Sequence, residues 1–411
     1  MRIAHLLPPS TTAGTPNDRL ELAQAFADLG HEVVVLTTAP TPLAGQNGLD
    51  VRSISLEPFD ARAVELIDSE AGGPEIGWAV RALLEGGTLR ERAPAALAAF
   101  HPDLVYEASS PFTAAGISIG RAFGAQVVLE VSEADGADRQ LASAAEELER
   151  LALEGADHVV ATSERARVRL TSAGVPERKI AVVAPAVDAD GYELTTPVRD
   201  ALRSLLRVAD RRTVGVIADL TAERDLQTLI QAVAELEGRG TSLTLLLIGD
   251  GPERASTEES VETRDEISAL FPGRVPEEQI PAYLAAIDVA VAPSGPGAEF
   301  PGRRLFQYLA AAVPVVAAET PGIAHCIRPG ETGLTYLPGD SGGLAGALEG
   351  LLHDSDRAKA LGAAGREHVL ERHSWAERAK TILSLATPPT EQPSADEPYA
   401  RGPGLLSAHD F

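Results

Sequence analysis

The run EFPGRRLFQYLA, Glu299–Ala310, places an acid, a Pro-Gly turn and two arginines directly before an apolar helix pattern. Pro301 and Gly302 shape the turn, and the free amides of a helix's first turn favour an anion. Arg303 and Arg304 add two guanidinium groups, which bind phosphate oxygens well. A solvated basic first turn is the alternative, but the helix dipole disfavours cations at this end. The pattern therefore favours a site for a phosphorylated ligand.

Two glycine-containing turns are further candidates. The turn GDGP follows the apolar pattern LTLLLI, and its Gly249 and Gly251 would let backbone approach a ligand closely. The turn AGTPND, which contains Gly14, opens the first helix pattern, where free amides favour an anion. Each turn has a structural alternative: GDGP as an ordinary strand-to-helix turn, and AGTPND as a helix cap formed by its Asn-Asp pair.

The elements that must position these residues follow an alternating pattern. Short apolar runs such as HEVVVLTT and LTLLLIGDG are separated by amphipathic stretches such as NDRLELAQAFADLG. Strands that are apolar on both faces and separated by helices predict parallel sheets covered on both sides. The polar segment Asp188–Asp200 divides two such runs, so the fold class is α/β with two facing, Rossmann-like, doubly wound domains. A ligand is expected in the cleft at the carboxyl ends of the strands.

Composition excludes several classes of protein. The 411 residues carry a formal net charge of −25, which argues against binding nucleic acid or an anionic membrane surface. No run reaches the roughly 18–20 apolar residues of a membrane span. The single cysteine excludes an internal disulfide framework, and a cytoplasmic location is expected. Residues 387–411, rich in Pro, polar and acidic residues, are predicted to be a disordered tail.

The sequence predicts no metal and no bound cofactor. Neither an HExxH pattern nor an EF-hand spacing is present, and the first strand is not followed by the GxGxxG fingerprint of a dinucleotide-binding enzyme. An anionic ligand must therefore be held by donors from the chain itself.

Several segments, in one order, resemble a known family. They include PDLVYEASSPFTAAGISIGRAFGAQVVLEVS, LLLIGDGPER, FPGRVPEEQIPAYLAAIDVAVAPS and AAAVPVVAAETPGIAHCIRPGETGLTYLPGD. Together they are similar to the retaining nucleotide-sugar glycosyltransferases of family 4, which have the GT-B fold. The resemblance implies an acceptor-side domain over residues 1–188, a donor-side domain over 200–373, and a helix over 374–386 that crosses back to the first domain.

The resemblance also implies roles for residues around the donor. Glu299 matches the first Glu of the family's Glu-x7-Glu pattern and would orient the donor sugar as a catalytic residue. Gln307 stands at the second Glu, which holds the ribose hydroxyls. An amide in place of a carboxylate is expected to weaken binding by about 1–2 kcal/mol. Backbone at Arg274 and Val275 would contact the nucleobase.

Two further positions concern the donor diphosphate. Arg224 stands at the position of the family's Lys and keeps its positive charge, so the resemblance implies that it is a catalytic residue. Asp219 stands at the position of the family's Arg. A carboxylate about 4 Å from a phosphate would cost about 4 kcal/mol at an effective dielectric constant of 20. On the acceptor side, Ser132 replaces a family His or Asn, and Glu130 precedes it by two positions.

Three functions are compatible with these residues. The first is metal-independent transfer of a sugar from a nucleotide-diphosphate donor to a small-molecule, glycan or lipid-linked acceptor, with retention of configuration. The second is a catalytically silent relative that binds a sugar nucleotide or supports a partner transferase, which the changes at Asp219 and Gln307 motivate. The third is different chemistry on a nucleotide sugar, such as epimerisation, because fold alone does not settle function. A homo-oligomer is compatible with each.

Overall fold

The computed structural model describes residues 1–7, 16–38, 48–56, 60–62, 74–110, 114–131, 142–188, 190–192, 196–296, 298 and 302–386. The tail beyond residue 386, for which the sequence predicts disorder, lies outside these residues. Within them, no helix combines the length and apolar character needed to cross a membrane.

Two parallel sheets organise the described chain. The first has seven strands in the order β3-β2-β1-β4-β5-β6-β7, and the second has six in the order β10-β9-β8-β11-β12-β13. The strands are β1 Arg2–Leu6, β2 Glu32–Thr37, β3 Asp50–Ser53, β4 Leu104–Ala108, β5 Gln126–Val131, β6 His158–Ala161, β7 Ile180–Val182, β8 Arg212–Ile217, β9 Leu243–Ile248, β10 Ser268–Gly273, β11 Val289–Ala292, β12 Val315–Ala318 and β13 Leu334–Tyr336. Central strands such as β9 and β11 are buried along their whole length, as strands with helices on both faces must be.

Helices pack on both faces of each sheet. They are α1 Pro16–Asp28, α2 Pro74–Ala96, α3 Ala115–Phe123, α4 Ala142–Gly155, α5 Glu164–Ser172, α6 Thr196–Leu205, α7 Leu226–Gly238, α8 Arg254–Glu262, α9 Ile280–Ala286, α10 Gly302–Ala310, α11 Ser341–His353, α12 Ser355–His373 and α13 Trp375–Ala386. Several begin at side chains that accept a hydrogen bond from the helix's first turn, as Ser163 does for α5 and Asp354 for α12.

The last helix, α13, returns to the first domain, as the sequence predicts. Ala379, Ile382 and Leu383 are buried in the same apolar cluster as residues of β1, β2 and α1. Close to this crossing, the amide of Val187 donates to the carbonyl of His373 across 2.9 Å. The two chain segments that connect the domains are therefore hydrogen-bonded to each other, and the two-domain α/β arrangement predicted from the alternating pattern is confirmed.

Candidate functional site

The loops at the carboxyl edge of the second sheet are joined to one another by backbone hydrogen bonds. The amide of Ala218 donates to the carbonyl of Ile248 at 3.0 Å, and that of Leu220 donates to the carbonyl of Asp250 at 3.0 Å. The loop after β9 is linked in turn to β10, since its first amide donates to the carbonyl of Gly273 at 2.9 Å. The three loops form one rigid rim at the edge where α/β proteins bind ligands.

Loop packing accounts for both glycines of the GDGP turn. A Cβ atom at Gly249 would lie 1.8 Å from the carbonyl oxygen of Ala218, and one at Gly251 would lie 2.4 Å from that of Leu220. Real Cβ atoms do not approach a backbone oxygen so closely, because the contact is far inside van der Waals distance. The structural alternative is therefore sufficient for these glycines, and their contact with a donor remains a prediction.

Asp219 has a partner of opposite charge. Its Oδ1 lies 3.5 Å from Nη2 of Arg274, and the two side chains are 75% and 74% exposed. The ion pair with Arg274 offsets part of the negative charge of Asp219, and the role expected for Asp219 beside a donor diphosphate remains a prediction. The backbone of Arg274 and Val275 begins the loop after β10, on the same rim.

Arg224 ends a short 3-10 turn, Ala222–Arg224, directly before α7. Among the described residues, its guanidinium group has no hydrogen bond or ion pair, although the side chain is half-buried. It lies near enough to the Tyr308 hydroxyl on α10 for its positive charge to affect that group, as does Arg304. Arg224 is thus a cation at the rim that is available to a ligand.

The Tyr308 hydroxyl is itself fixed. It accepts from the amide of Ile217 at 2.7 Å and donates to the carbonyl of the same residue at 3.2 Å. Burial raises the pKa of Tyr308 to about 12, so the phenol stays neutral at ordinary pH. These two bonds fasten α10 to the end of β8.

The arginines at the start of α10 are both paired with one carboxylate. Glu277 lies 2.9 Å from Nη2 of Arg303, and its two oxygens accept from Nη1 of Arg304 at 3.3 and 3.2 Å. The sequence predicts that these arginines hold a phosphate; in the structure their present partner is Glu277. This carboxylate also explains how two cations are tolerated at the positive end of a helix dipole.

Gln307 completes the arrangement and is almost fully buried. Its Nε2 donates to Oε1 of Glu277 at 2.5 Å, and its Oε1 accepts from Nη1 of Arg304 at 2.8 Å. Tyr192, from the segment between the two sheets, lies close to the same amide. Burial and the negative charge of Glu277 raise the pKa of Tyr192 to about 12. We call Tyr192, Glu277, Arg303, Arg304 and Gln307 the Glu277 cluster.

Of the other residues predicted to bind the donor, the structure describes some and not others. Gly302 begins α10 with a φ of +46°, a left-handed conformation that glycine adopts without strain. Glu299, Pro301, Gly14 and Ser132 lie outside the described residues. The structure therefore brings Arg303, Arg304 and Gln307 together around Glu277, while Arg224, Asp219 and Arg274 lie in the loops at the same carboxyl edge of the sheet.

Glu130, expected on the acceptor side, has a structural partner instead. Its Oε2 accepts from Nη2 of Arg378 on α13 at 2.7 Å, and the two side chains are 20% and 5% exposed. The same guanidinium group donates to the carbonyls of Val183, at 3.2 Å, and Ala184. Glu130 lies near the carboxyl end of β5 and its carboxylate is engaged in fastening the returning helix, while its acceptor-side role remains a prediction.

Sequence reasoning missed two buried carboxylates at the edge of the first sheet. Glu107 accepts from the amides of Ala115 and Gly116 at 3.2 and 2.9 Å, and complete burial raises its pKa to about 7. Glu85 on α2 accepts from the hydroxyl of Thr38 at 3.0 Å, and burial raises its pKa as well. An acid inside a strand pattern, as in LVYEA, was the available signal for Glu107.

Sequence analysis also did not identify Glu277 and Tyr192 as members of the site. Glu277 stands three positions after Arg274, but nothing local in the sequence shows that it lies beside Arg303 and Arg304. Among the described residues, no group of three or more His, Cys, Asp or Glu side chains could hold a metal ion.

Two family models match this chain, one on each sheet. A model described as "Glycosyl transferase 4-like domain" matches residues 14–186, and one described as "Glycosyl transferases group 1" matches residues 199–368. Together they cover most of the chain, in the order expected for one two-domain protein. The chain belongs to this glycosyltransferase family, the one that its sequence motifs resemble.

Curated relatives agree with this assignment. The GDP-mannose-dependent alpha-(1-6)-phosphatidylinositol monomannoside mannosyltransferase of Mycobacterium tuberculosis is 30% identical over 230 residues, which are 54% of this chain and 59% of that protein. The match therefore spans less than two thirds of that relative. The 2-deoxystreptamine glucosyltransferase of Streptomyces kanamyceticus is 29% identical over 369 residues, which are 86% of this chain and 93% of that protein.

Solved structures match along almost the whole chain. HepE from Anabaena, in complex with UDP and glucose, has a TM-score of 0.68 at 19% identity, covering 93% of this chain and 98% of HepE. Sucrose-phosphate synthase from Thermosynechococcus elongatus has a TM-score of 0.67 at 21% identity, covering 94% of this chain and 98% of the synthase. At such identities the likeness establishes the GT-B fold alone.

Proposed function

We propose that this protein transfers a sugar from a nucleotide-diphosphate donor to an acceptor, with retention of anomeric configuration and without a metal ion. The observation that carries the proposal is that Arg224, in the loop after β8, and the amino terminus of α10 lie at the same carboxyl edge of the second sheet, where Tyr308 of α10 is hydrogen-bonded to the end of β8. Helix amides and guanidinium groups converging at the carboxyl edge of a parallel sheet form a site for a diphosphate.

The chemistry follows from the charges. When the sugar leaves, negative charge develops on the nucleoside diphosphate, and a cation already in place stabilises that charge without reorganisation. Arg224 performs this role, since its guanidinium group has no partner among the described residues. The chain's own cations take the place of a metal. Glu299, as the family resemblance implies, orients the donor sugar.

The names of the relatives indicate classes of acceptor and of donor nucleotide, but no individual compound. The mannosyltransferase relative is named for GDP-mannose and a phosphatidylinositol monomannoside, the glucosyltransferase relative for 2-deoxystreptamine, and HepE was solved with UDP. We propose a purine or uridine diphosphate sugar as donor, and a small polyol, a glycan or a lipid-linked sugar as acceptor. A cytoplasmic location belongs to the same proposal.

The test is donor binding and turnover by the full chain. UDP-, GDP-, ADP- and dTDP-sugars are screened by thermal shift, where a ligand at a hundredfold excess over Kd stabilises the fold by about 2.7 kcal/mol. We expect one nucleotide class to raise Tm in the wild type and Arg224→Ala to lose the shift. Arg239→Ala is the matched control, because this arginine is 45% exposed at the far end of α7, paired with Glu235 and Glu349.

A second candidate function has one observation in its favour. Arg303 and Arg304 are paired with Glu277, and Asp219 stands where the family carries an Arg, so this chain could hold a sugar nucleotide without turning it over. Release of nucleoside diphosphate, measured with and without a panel of acceptors, separates the two. Binding without release supports a silent subunit, and the absence of any binding at millimolar donor contradicts both candidates.

A further inference from the structure

Both ends of the Gln307 amide are occupied within the protein. The amide nitrogen donates to Glu277 at 2.5 Å and the amide oxygen accepts from Arg304 at 2.8 Å. A side-chain amide has one donating and one accepting end, and each is used here. Gln307 is also only 1% exposed, so no part of it faces the solvent from which a donor would arrive.

Glu277 is the member of this hydrogen-bonded pair that reaches the surface. Its side chain is 27% exposed, and it begins the short turn Glu277–Gln279, which three residues separate from the end of β10. This turn lies at the carboxyl edge of the sheet, beside the loop of Arg274 and Val275. A ligand entering along that edge meets Glu277 before it meets Gln307.

The residue type at 307 follows from the carboxylate at 277. If residue 307 were a Glu, two carboxylate oxygens would meet at the 2.5 Å separation now bridged by a hydrogen bond. Two ionised carboxylates at this distance repel strongly, so two acids here would have to share a proton, whereas one carboxylate and one amide form the hydrogen bond with no change in protonation. In this chain the carboxylate is on the loop after β10, and the amide that steadies it is on α10.

A carboxylate at this edge of the sheet can accept hydrogen bonds from a ligand. An ionised carboxylate accepts hydrogen bonds through two oxygens, and acidic residues beside nucleotide-binding loops commonly accept from ribose hydroxyls. We propose that Glu277, and not residue 307, is the group that accepts hydrogen bonds from the ribose hydroxyls of the nucleotide donor. Gln307, Arg303 and Arg304 are positioning residues that hold its carboxylate. This inference rests on the proposed function.

The experiment compares ribose with deoxyribose. Isothermal titration of the full chain uses the nucleoside diphosphate that the wild type binds and its 2′-deoxy and 3′-deoxy counterparts. We expect the wild type to prefer the ribonucleotide and Glu277→Gln to bind it about tenfold more weakly, while the affinity for the deoxy forms changes little. Glu278→Gln is the matched control, an exposed acid one position away with no expected effect.

Moving the carboxylate from position 277 to position 307 gives a second, independent test. Gln307→Glu in the wild-type background is expected to lower Tm, because it places two carboxylates in contact. Combining it with Glu277→Gln restores Tm but not the preference for ribose, since residue 307 is buried. Recovery of the preference in the double variant would show that position 307 reaches the ligand and would overturn the inference.

Other outcomes are equally decisive. An unchanged ratio of ribo to deoxy affinity in Glu277→Gln overturns the inference and leaves the proposed function intact. Tighter binding of all nucleotides by that variant also overturns it, since Glu277 would then be a competitor of phosphate for the two arginines. If the wild type binds no nucleotide at all, the inference and the proposed function fail together.

Discussion

Arg378, near the start of the last helix, donates to Glu130 at the end of β5 across 2.7 Å, joining residues 248 positions apart. With the carbonyls of Val183 and Ala184 as further acceptors, a single guanidinium group fastens α13 to the first domain beside the crossing between domains. The helix before it, α12, continues into α13 with only Ser374 between them.

Removing this guanidinium group should destabilise the fold strongly. Arg378→Ala leaves Glu130 without its cation and two backbone carbonyls without their donor, a loss of about 3–5 kcal/mol by analogy with other buried pairs. Urea unfolding measures it. Lys380→Ala is the control, because this exposed pair with Glu377 is worth at most about 1 kcal/mol. Equal effects of the two substitutions would contradict a role for Arg378 in fastening the helix.

Glu107 should make stability depend on pH. Burial raises its pKa to about 7 in the folded protein, whereas the unfolded chain has an ordinary value near 4.5. The folded state therefore binds the extra proton between these values, so the contribution of Glu107 is fully present below about pH 4.5 and is lost as pH rises through about 7. Between about pH 5.5 and 7.5 the loss is about 2 kcal/mol.

The check for Glu107 is a difference between two proteins. The free energy of unfolding is measured across this pH range for the wild type and for Glu107→Gln, which cannot titrate. We expect the wild type to lose stability relative to the variant as pH rises. A difference between the two that stays constant with pH would mean that Glu107 ionises normally.

Ala312 is a site where glycine should stabilise the protein. It follows α10 with a φ of +54°, a left-handed conformation that costs a residue with a Cβ about 1–2 kcal/mol. Ala312→Gly relieves this strain, offset in part by the greater freedom of glycine in the unfolded chain, and should raise stability by about 0.5–1 kcal/mol. Ala311→Gly, one residue earlier and without a positive φ, should do the opposite in the same thermal unfolding measurement.

Gly249 should not tolerate a side chain. Its Cβ would lie 1.8 Å from the Ala218 carbonyl oxygen, so Gly249→Ala must separate the loops after β8 and β9. We expect a loss of at least about 3 kcal/mol, together with loss of donor binding at the rim. Gly346→Ala, in α11 with no atom within 4 Å of the new Cβ, should instead stabilise by about 0.5–1 kcal/mol.

The fold was accessible from the sequence because its signals are local. A strand with helices on both faces must be apolar along its whole length, and runs such as LTLLLI show this within six letters. The turn that opens α10 was equally visible, since helix starts carry their own residue preferences.

The partners of the charged residues could not be predicted from the sequence in the same way. From the sequence, Asp219 is an acid at a position where the family carries an Arg, but the strand order β10-β9-β8 brings it to 3.5 Å from Arg274 across the end of β9. Arg304 has both Glu277 and Gln307 as partners, one 27 positions away and one on its own helix.

Chain order therefore establishes the elements, the sheet class and the residue types available at the rim. The pairing of those residues depends on how parallel strands align, because alignment brings loops that are distant in the chain to one edge of the sheet. In this protein, the side-chain pairings that the sequence did not predict are concentrated in the Glu277 cluster. The amide at 307 looks like a lost carboxylate in the sequence, whereas in three dimensions it is the donor that a neighbouring carboxylate requires.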